Sequence, residues 1–394
     1  MQFIHRPGIG ARCRAASVIG SSQTFKSLSA RRFTLHSNKY SAITTFATGQ
    51  ASNLRSVPKR LSCPPTRSTR SFSAPAQHIS PSSNPNANQN KDKHEPGAIL
   101  SEPNIHSVFE PATGTWQYIV ADPSTNTAVI IDAVLDYSPS TQEIKTISAD
   151  TLLTLIKKEG YTVSMILETH AHADHLTAAS YLQSQLSKSQ DITPVIGIGA
   201  RISEVQAIFG EKYGVGPEGY RTVFGKLFAD DETFAIGNLT GKAIHLPGHT
   251  PDHLGYMIGD NIFCGDSLFN TDLGTARADF PGGSAERLYA SARKVLDLPD
   301  HVRVYVGHDY PSGDREQPVP YMTVAEHKKE NKHLREGVSE EEFVSMRKER
   351  DGSLAVPKLL HPSLQINIRG GRLPRVTGSG LRMVHLPLRV EREW

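Results

Sequence analysis

Cysteine is nearly absent. The 394 residues hold three, Cys13, Cys63 and Cys264, and two of them lie in the first 73. A chain that lost that stretch would keep one thiol, which excludes a disulfide framework and a cysteine-based zinc site within one molecule. Any metal must then be held by histidine and carboxylate. Long apolar runs are missing as well. No eighteen consecutive apolar residues occur, so no membrane-spanning helix is expected. Acidic residues are absent from positions 1–91, which carry thirteen Lys plus Arg; the remainder holds 30 Lys plus Arg against 40 Asp plus Glu, a net charge of −10. The overall charge of +3 therefore describes the leader. A mildly acidic body argues against nucleic acid or a membrane surface as partner.

Residues 1–73 are rich in Arg and Ser, free of acid and without a long apolar core. That composition fits a mitochondrial transit peptide better than a secretory signal, and predicts location in the mitochondrial matrix. Arg32-Phe33-Thr34 and Arg70-Ser71-Phe72-Ser73 look like processing sites. Residues 74–103 read as a disordered linker of Ser, Pro, Asn and Gln, with order beginning near Asn104. The apolar runs 116–121 and 128–132, split by a turn cluster, predict a hairpin. Ser148 and Gly160 bracket a helix. Strands are expected at 163–168, 194–198, 233–236, 239–246, 254–258, 261–264 and 302–306, and helices at 202–209, 284–296, 323–334 and 339–350, the last with a Ser339/Glu342 capping box. The tail predicts strands at 364–368 and 383–388. Hairpins mixed with helices in two β-rich halves indicate an α+β chain, with residues 104–320 forming the main domain and 321–394 completing it.

What is present, and concentrated, is histidine. Thr169-His170-Ala171-His172-Ala173-Asp174-His175 packs three imidazoles and a carboxylate behind an apolar strand. Alternate residues of a strand face opposite ways, so His170 and His172 converge only if the strand has ended in a loop. Asp174 and His175 are then expected to open a helix continued by Leu176, Ala179 and Leu182. Further ligand types follow later strands: His249, Asp266 and His308. Four such groups at one junction, with three more downstream, point to a metal site.

These pieces, T-H-A-H-A-D-H (169–175), L-P-G-H-T (246–250), C-G-D-S-L-F (264–269) and V-G-H-D-Y (306–310), resemble the metallo-β-lactamase superfamily over about residues 105–312. The resemblance implies an αββα sandwich of two mixed sheets flanked by helices. In its binuclear members it implies His170, His172 and His249 on one metal, Asp174, His175 and His308 on a second, and Asp266 bridging. The segment 273–284, with Gly-Thr-Ala-Arg-Ala-Asp-Phe, resembles persulfide dioxygenases and the bacterial β-lactamase-like hydrolase branch. That likeness implies one Fe(II) held by His170, His249 and Asp266, with glutathione persulfide and O2 as substrates and sulfite and glutathione as products. His172, Asp174, His175 and His308 would then support the ligands from behind or hold a second metal. It also places Arg277, with Asp279 beside it, near bound glutathione, and lets Tyr310 donate into the site. Asp174 has a plainer reading, as a first-turn helix carboxylate; Arg277 and Tyr310 as a scaffold ion pair and a core aromatic; Cys264 as a small buried hydrophobe. His245, His253 and His301 match no ligand motif.

Three functions follow: a mono-iron persulfide dioxygenase of mitochondrial sulfide oxidation, a glyoxalase II-like thioester hydrolase with two Zn(II) ions, or a binding protein. Intact His170, His249 and Asp266 speak against the third. A homodimer is compatible with all of these.

Overall fold

The computed structural model describes residues 102–311, 315–392 and 394. The expected transit peptide and nearly all of the expected linker lie outside the described residues. In chain order, β1 (Asn104–Glu110), β2 (Thr115–Ala121), β3 (Thr127–Ile131), β4 (Val134–Ser138) and β5 (Glu143–Lys145) precede helix α1 (Ile147–Glu159). Then come β6 (Thr162–Leu167), β7 (Leu176–Thr177), α2 (Ala179–Ser189), β8 (Val195–Gly199), α3 (Ile202–Tyr213) and β9 (Lys226–Phe228). The second half runs β10 (Thr233–Ile236), β11 (Leu239–His245), β12 (Leu254–Ile258), β13 (Asn261–Phe263), α4 (Ala285–Leu296), β14 (Arg303–Tyr305) and β15 (Tyr321–Thr323). It closes with α5 (Val324–Glu330), α6 (Glu340–Gly352) and α7 (Leu360–Asn367).

Two six-stranded mixed sheets result, ordered β1-β2-β3-β6-β8-β9 and β10-β11-β12-β13-β14-β15, with a small third sheet β5-β4-β7. Period-two alternation explains the layering. On β2 and β3, Tyr118, Val120, Val129 and Ile131 face the second sheet, where they meet Tyr256, Ile258 and Phe263. Their neighbours Ile119, Ile130 and Ala128 face out, against Leu152 and Ile156 of α1 and Leu182 of α2. The outer face of the second sheet, Ile244, Ile262 and Val304, is covered by Leu288, Ala292 and Val295 of α4 and Phe343 of α6. The layers are therefore α, β, β, α. Strands buried on both faces read in sequence as continuous apolar runs. Cutting Ile130, fully buried, to alanine should cost about 2–5 kcal/mol.

The hairpin of β2 and β3, Gly160 as the left-handed cap of α1, and the Ser339/Glu342 capping box are found where the sequence puts them, and the structure adds a second box, Thr323/Glu326. Five expectations need correction. The helix expected from Asp174 begins only at Ala179, because Leu176–Thr177 pairs with Val134–Leu135 as β7. Helix α1 starts at Ile147, one residue before Ser148, with Thr146 at its N-cap position; the Ser148 hydroxyl is already committed to Asp136 at 2.7 Å. Helix α5 stops at Glu330, short of 334. The strand expected at 364–368 falls largely in α7: Leu364 and Ile368 share one cluster with α3 while Ile366 meets the first sheet's outer face, a division one helical turn provides. A short apolar run cannot reveal this. Residues 383–388 form no strand; the tail makes only an isolated bridge, Val376 to Arg382.

Candidate metal centre

Every ligand-type residue follows a strand's C-terminal end. His170–His175 follow β6, His249 follows β11, Asp266 follows β13 and His308 follows β14. Backbone hydrogen bonds tie these ends together: Leu254 N donates to Thr169 O (2.8 Å), Gly307 N to Gly265 O (3.0 Å) and Trp116 N to Gly307 O (2.9 Å). Two glycines permit the approach. A Cβ on Gly265, which sits at φ +49°, would lie 2.5 Å from Thr169 Oγ1, and one on Gly307 would lie 2.6 Å from Asp266 Oδ1.

Two sets of ligand atoms gather there. His170, His249 and Asp266 form one, and His172, Asp174, His175 and His308 the other; within each set the atoms lie within 4.8 Å of one another. Asp266 stands between them, with Oδ2 3.5 Å from His249 Nε2 and Oδ1 3.6 Å from His308 Nε2. His172 is placed with the second set, unlike the division the binuclear resemblance implies, and its ring centre lies 4.1 Å from that of His170 and 4.2 Å from that of His175.

The inner atoms lack partners while the outer ones have them. His170 Nε2, His172 Nδ1, His175 Nε2, His308 Nε2 and Asp266 Oδ1 are buried with no hydrogen bond. Each such group costs on the order of 1–3 kcal/mol when left unsatisfied, so the arrangement fits a bound cation. Behind them, His249 Nδ1 donates to Arg277 O (2.7 Å), which turns Nε2 toward the other ligands. His170 Nδ1 lies 2.9 Å from Thr169 Oγ1, which donates to Asp132 Oδ2 (2.8 Å). His172 Nε2 meets Asp132 Oδ1 at 3.1 Å and Glu168 Oε2 at 3.3 Å. His308 Nδ1 lies 3.3 Å from Thr115 Oγ1. Outer bonds of this kind fix the tautomer and the ring plane that a metal ligand needs.

Burial sets the charges of the protein without metal. It pushes His170 well below the ordinary histidine value and His175 down to about 3. It acts against a charged His172 too, but Asp132 and Glu168 outweigh it and hold that imidazole well above. His308 is likewise raised, burial being overcome by Asp174 and Asp266. Asp174 falls to about 2 because His308 and His175 overcome its burial, whereas burial raises Asp266.

Asp132, Glu168, Thr169, Thr115 and His253 are the residues sequence reasoning missed or undervalued. In sequence Asp132 is simply the end of a hairpin strand, and a carboxylate closing an apolar run is the only signal it gives; in the structure it lies one residue past β3 at φ +53°. His253 is fully buried, stacks on His170 (centroids 4.7 Å apart) and accepts from Asp266 N at 3.0 Å. His245 pairs with Asp230 and His301 with Asp260, away from the ligands. Cys264 is buried, its thiol pushed up to about 12 by burial, which suits packing rather than redox work.

Arg277 and Asp279 form a two-pronged ion pair, and Arg277 also donates to Ala355 O at 2.8 Å. They border a cavity of about 210 Å³ shared with His249, Phe280, Val356 and Leu360. A second cavity of about 180 Å³ opens beside His175, lined by Thr113, Val134, Tyr137, Lys145 and Leu359. Tyr310 does not aim its hydroxyl at the ligands: it donates to Thr113 O (3.2 Å), and its ring stacks on His308 at 5.9 Å.

Comparison with known proteins agrees with this architecture. The family described as the metallo-beta-lactamase superfamily matches residues 111–308. A probable metallo-hydrolase of Burkholderia pseudomallei is 42% identical over 72% of this chain and 98% of its own length. Glyoxylase B2 of Dictyostelium discoideum is 43% identical over 71% of this chain and 94% of its own. The human mitochondrial persulfide dioxygenase is 29% identical over 64% and 82%. A crystal structure of ETHE1 from Myxococcus xanthus superposes with a TM-score of 0.54 at 27% identity, covering 68% of this chain and all of that one.

Proposed function

We propose that this chain, which belongs to the metallo-beta-lactamase superfamily, is a metal-dependent hydrolase that cleaves a small thioester of the S-acylglutathione kind. The observation that carries this reading is Asp266, whose two oxygens each face a histidine of a different ligand set. A carboxylate so placed suits two cations held side by side. Bound there, divalent metal would supply Lewis acidity and acidify a water to make the nucleophile. His170, His249 and Asp266 would hold one ion and His172, Asp174, His175 and His308 the other, with Asp266 common to both. The relatives above 40% identity that carry the words metallo-hydrolase and glyoxylase favour the same reading.

The protein's own groups would do the rest. Arg277 O and the Asp132–Thr169 pair orient His249 and His170 with Nε2 facing inward. The apolar wall of Phe280, Pro281, Val356 and Leu360 excludes water beside His249 and would seat the acyl or sulfur end of the substrate. The half-exposed Arg277 lies at that mouth, where its guanidinium would meet a carboxylate of the thiol carrier in exchange for Asp279. An acid-free leader supports action in the mitochondrial matrix.

A second reading has its own support. His170, His249 and Asp266 form a self-contained set of two histidines and one carboxylate, the pattern of a single Fe(II) with open positions for O2. The human relative named persulfide dioxygenase favours it as well. The deciding experiment is anaerobic purification with metal analysis, followed by S-lactoylglutathione hydrolysis and O2 uptake with glutathione persulfide. Two metals per chain and thioester cleavage without O2 uptake are expected. One iron per chain with O2 consumed and sulfite formed would replace the hydrolase by the dioxygenase.

A further inference from the structure

The family match ends at His308, yet three buried polar side chains beyond it reach the backbone that carries the ligands. Asn367, at the end of α7 and only 3% exposed, donates from Nδ2 to His172 O (2.8 Å) and His175 O (2.7 Å) and accepts from Thr177 N at Oδ1 (2.9 Å). One amide thereby closes the loop between two ligands and fixes its exit into β7. On the other flank, Arg347 of α6 is 1% exposed and donates from Nη1 to Thr275 O (3.2 Å) and Ala276 O (3.1 Å). Asp351, one turn later, pairs with Arg347 Nη2 at 2.9 Å and accepts from Ala278 N at 2.8 Å. Between those anchored residues lies Arg277, whose carbonyl holds His249 Nδ1.

We propose that α6 and α7 are the positioning device of the metal centre, Asn367 setting the loop of His172 and His175 and the Arg347–Asp351 pair setting the segment that orients His249. A buried ion pair is poor value as stability alone, since hydrophobic replacements of the same volume are often neutral. Placing one against three backbone groups of the 275–278 segment makes sense as placement. The amide of Asn367 is equally specific: two donors and one acceptor match two carbonyls and one N–H, which no apolar side chain can do. The inference rests on these residues binding metal and not on which reaction follows.

The test uses the full chain, stripped by chelation and titrated with Zn2+ and Co2+ against a chromophoric competitor. His172→Ala and His249→Ala serve as references for loss at each set. Asn367→Ala should weaken the His172/His175 set about 10–100-fold, the usual cost of losing an outer partner, with the other set within about threefold. Arg347→Met should do the reverse, and Arg347→Lys should recover part of the loss by keeping a donor near the Thr275 and Ala276 carbonyls. The Co2+ absorption band of the affected set should shift. If Asn367→Ala does not fold, Asn367→Ser, which can still serve one carbonyl, is read for the same contrast. Lower thermal stability with both metal affinities unchanged, or equal weakening of both sets by every variant, overturns the proposal. A parent chain that binds no metal would instead overturn the metal reading itself.

Discussion

The two ligand sets are alike in front and different behind. Facing inward, both present buried atoms without partners. Behind His170 and His249 stand neutral acceptors, a threonine hydroxyl and a peptide carbonyl. Behind His172 stand two buried carboxylates, whereas His308, like His170, is backed by a threonine hydroxyl, that of Thr115. A carboxylate behind an imidazole strengthens its grip on metal and on proton alike. Within the four-residue set His172 must therefore give up a proton to take metal, whereas burial disfavours a proton on His170.

The largest effect should come from the residue both sets share. Asp266→Ala is expected to empty both and lower turnover by about 10³-fold, the scale of losing a principal charge-stabilising group; metal analysis and steady-state rates measure it. If one full equivalent stays bound, Asp266 belongs to one set alone. Next comes His172→Ala against His249→Ala. In a two-metal hydrolase each should cost about one equivalent and most thioester activity. Retention of one iron and of O2 uptake by His172→Ala, but not by His249→Ala, would move the assignment to the three-residue set.

Asp132→Asn tests the difference behind the ligands. Asp132 holds His172 directly and His170 through Thr169, so the variant should weaken metal binding by about 10–100-fold, more at the four-residue set. The pH dependence should divide the sets in the same direction. In the four-residue set His172 and His308 have raised values against a lowered His175, and in the other set His170 is lowered. Protons therefore compete mainly at the four-residue set, and its affinity should fall more steeply as pH drops from 8 to 6. Competition titrations at three pH values would show it, and equal slopes would remove the distinction.

How much of this the sequence carried follows from distance along the chain. The ligands were legible because each is a chemically costly residue placed just after an apolar strand, a local pattern. The layers were legible because hairpins mixed with helices fall into two β-rich halves and the ligand motifs resemble a family of αββα sandwiches. What supports the ligands was not, because it is assembled across the fold: Asp132 to His172 spans 40 positions, Asn367 to His172 spans 195. Gln365 and Asn367 sit in a run whose Leu364, Ile366 and Ile368 alternate like a strand, and only burial of those polar groups against distant loops favours the helix. Leu176 misled in the opposite sense. Its apolar spacing with Ala179 and Leu182 suited a helix, but pairing with Leu135 took Leu176 and Thr177 first.

The smallest effect should be at Tyr310. Two residues after a ligand histidine, it invites a catalytic role, yet its hydroxyl is spent on Thr113 O and its ring runs 5° from parallel to that of His308, with centroids 5.9 Å apart. Tyr310→Phe keeps the ring and removes one hydrogen bond to a half-exposed backbone carbonyl, worth about 1 kcal/mol or less. Thermal stability should fall slightly, metal content should stay the same, and kcat should change less than about threefold. Tyr310→Ala should do more, because it uncovers the outer face of His308 and frees the ring that the Asp174 contact needs in place. A tenfold or larger loss of kcat in Tyr310→Phe with metal intact would mean that the hydroxyl leaves Thr113 during turnover and reaches the substrate. The four-residue side would then hold a reacting group as well as a metal, and the contrast between the two sets would become one of chemistry rather than of support.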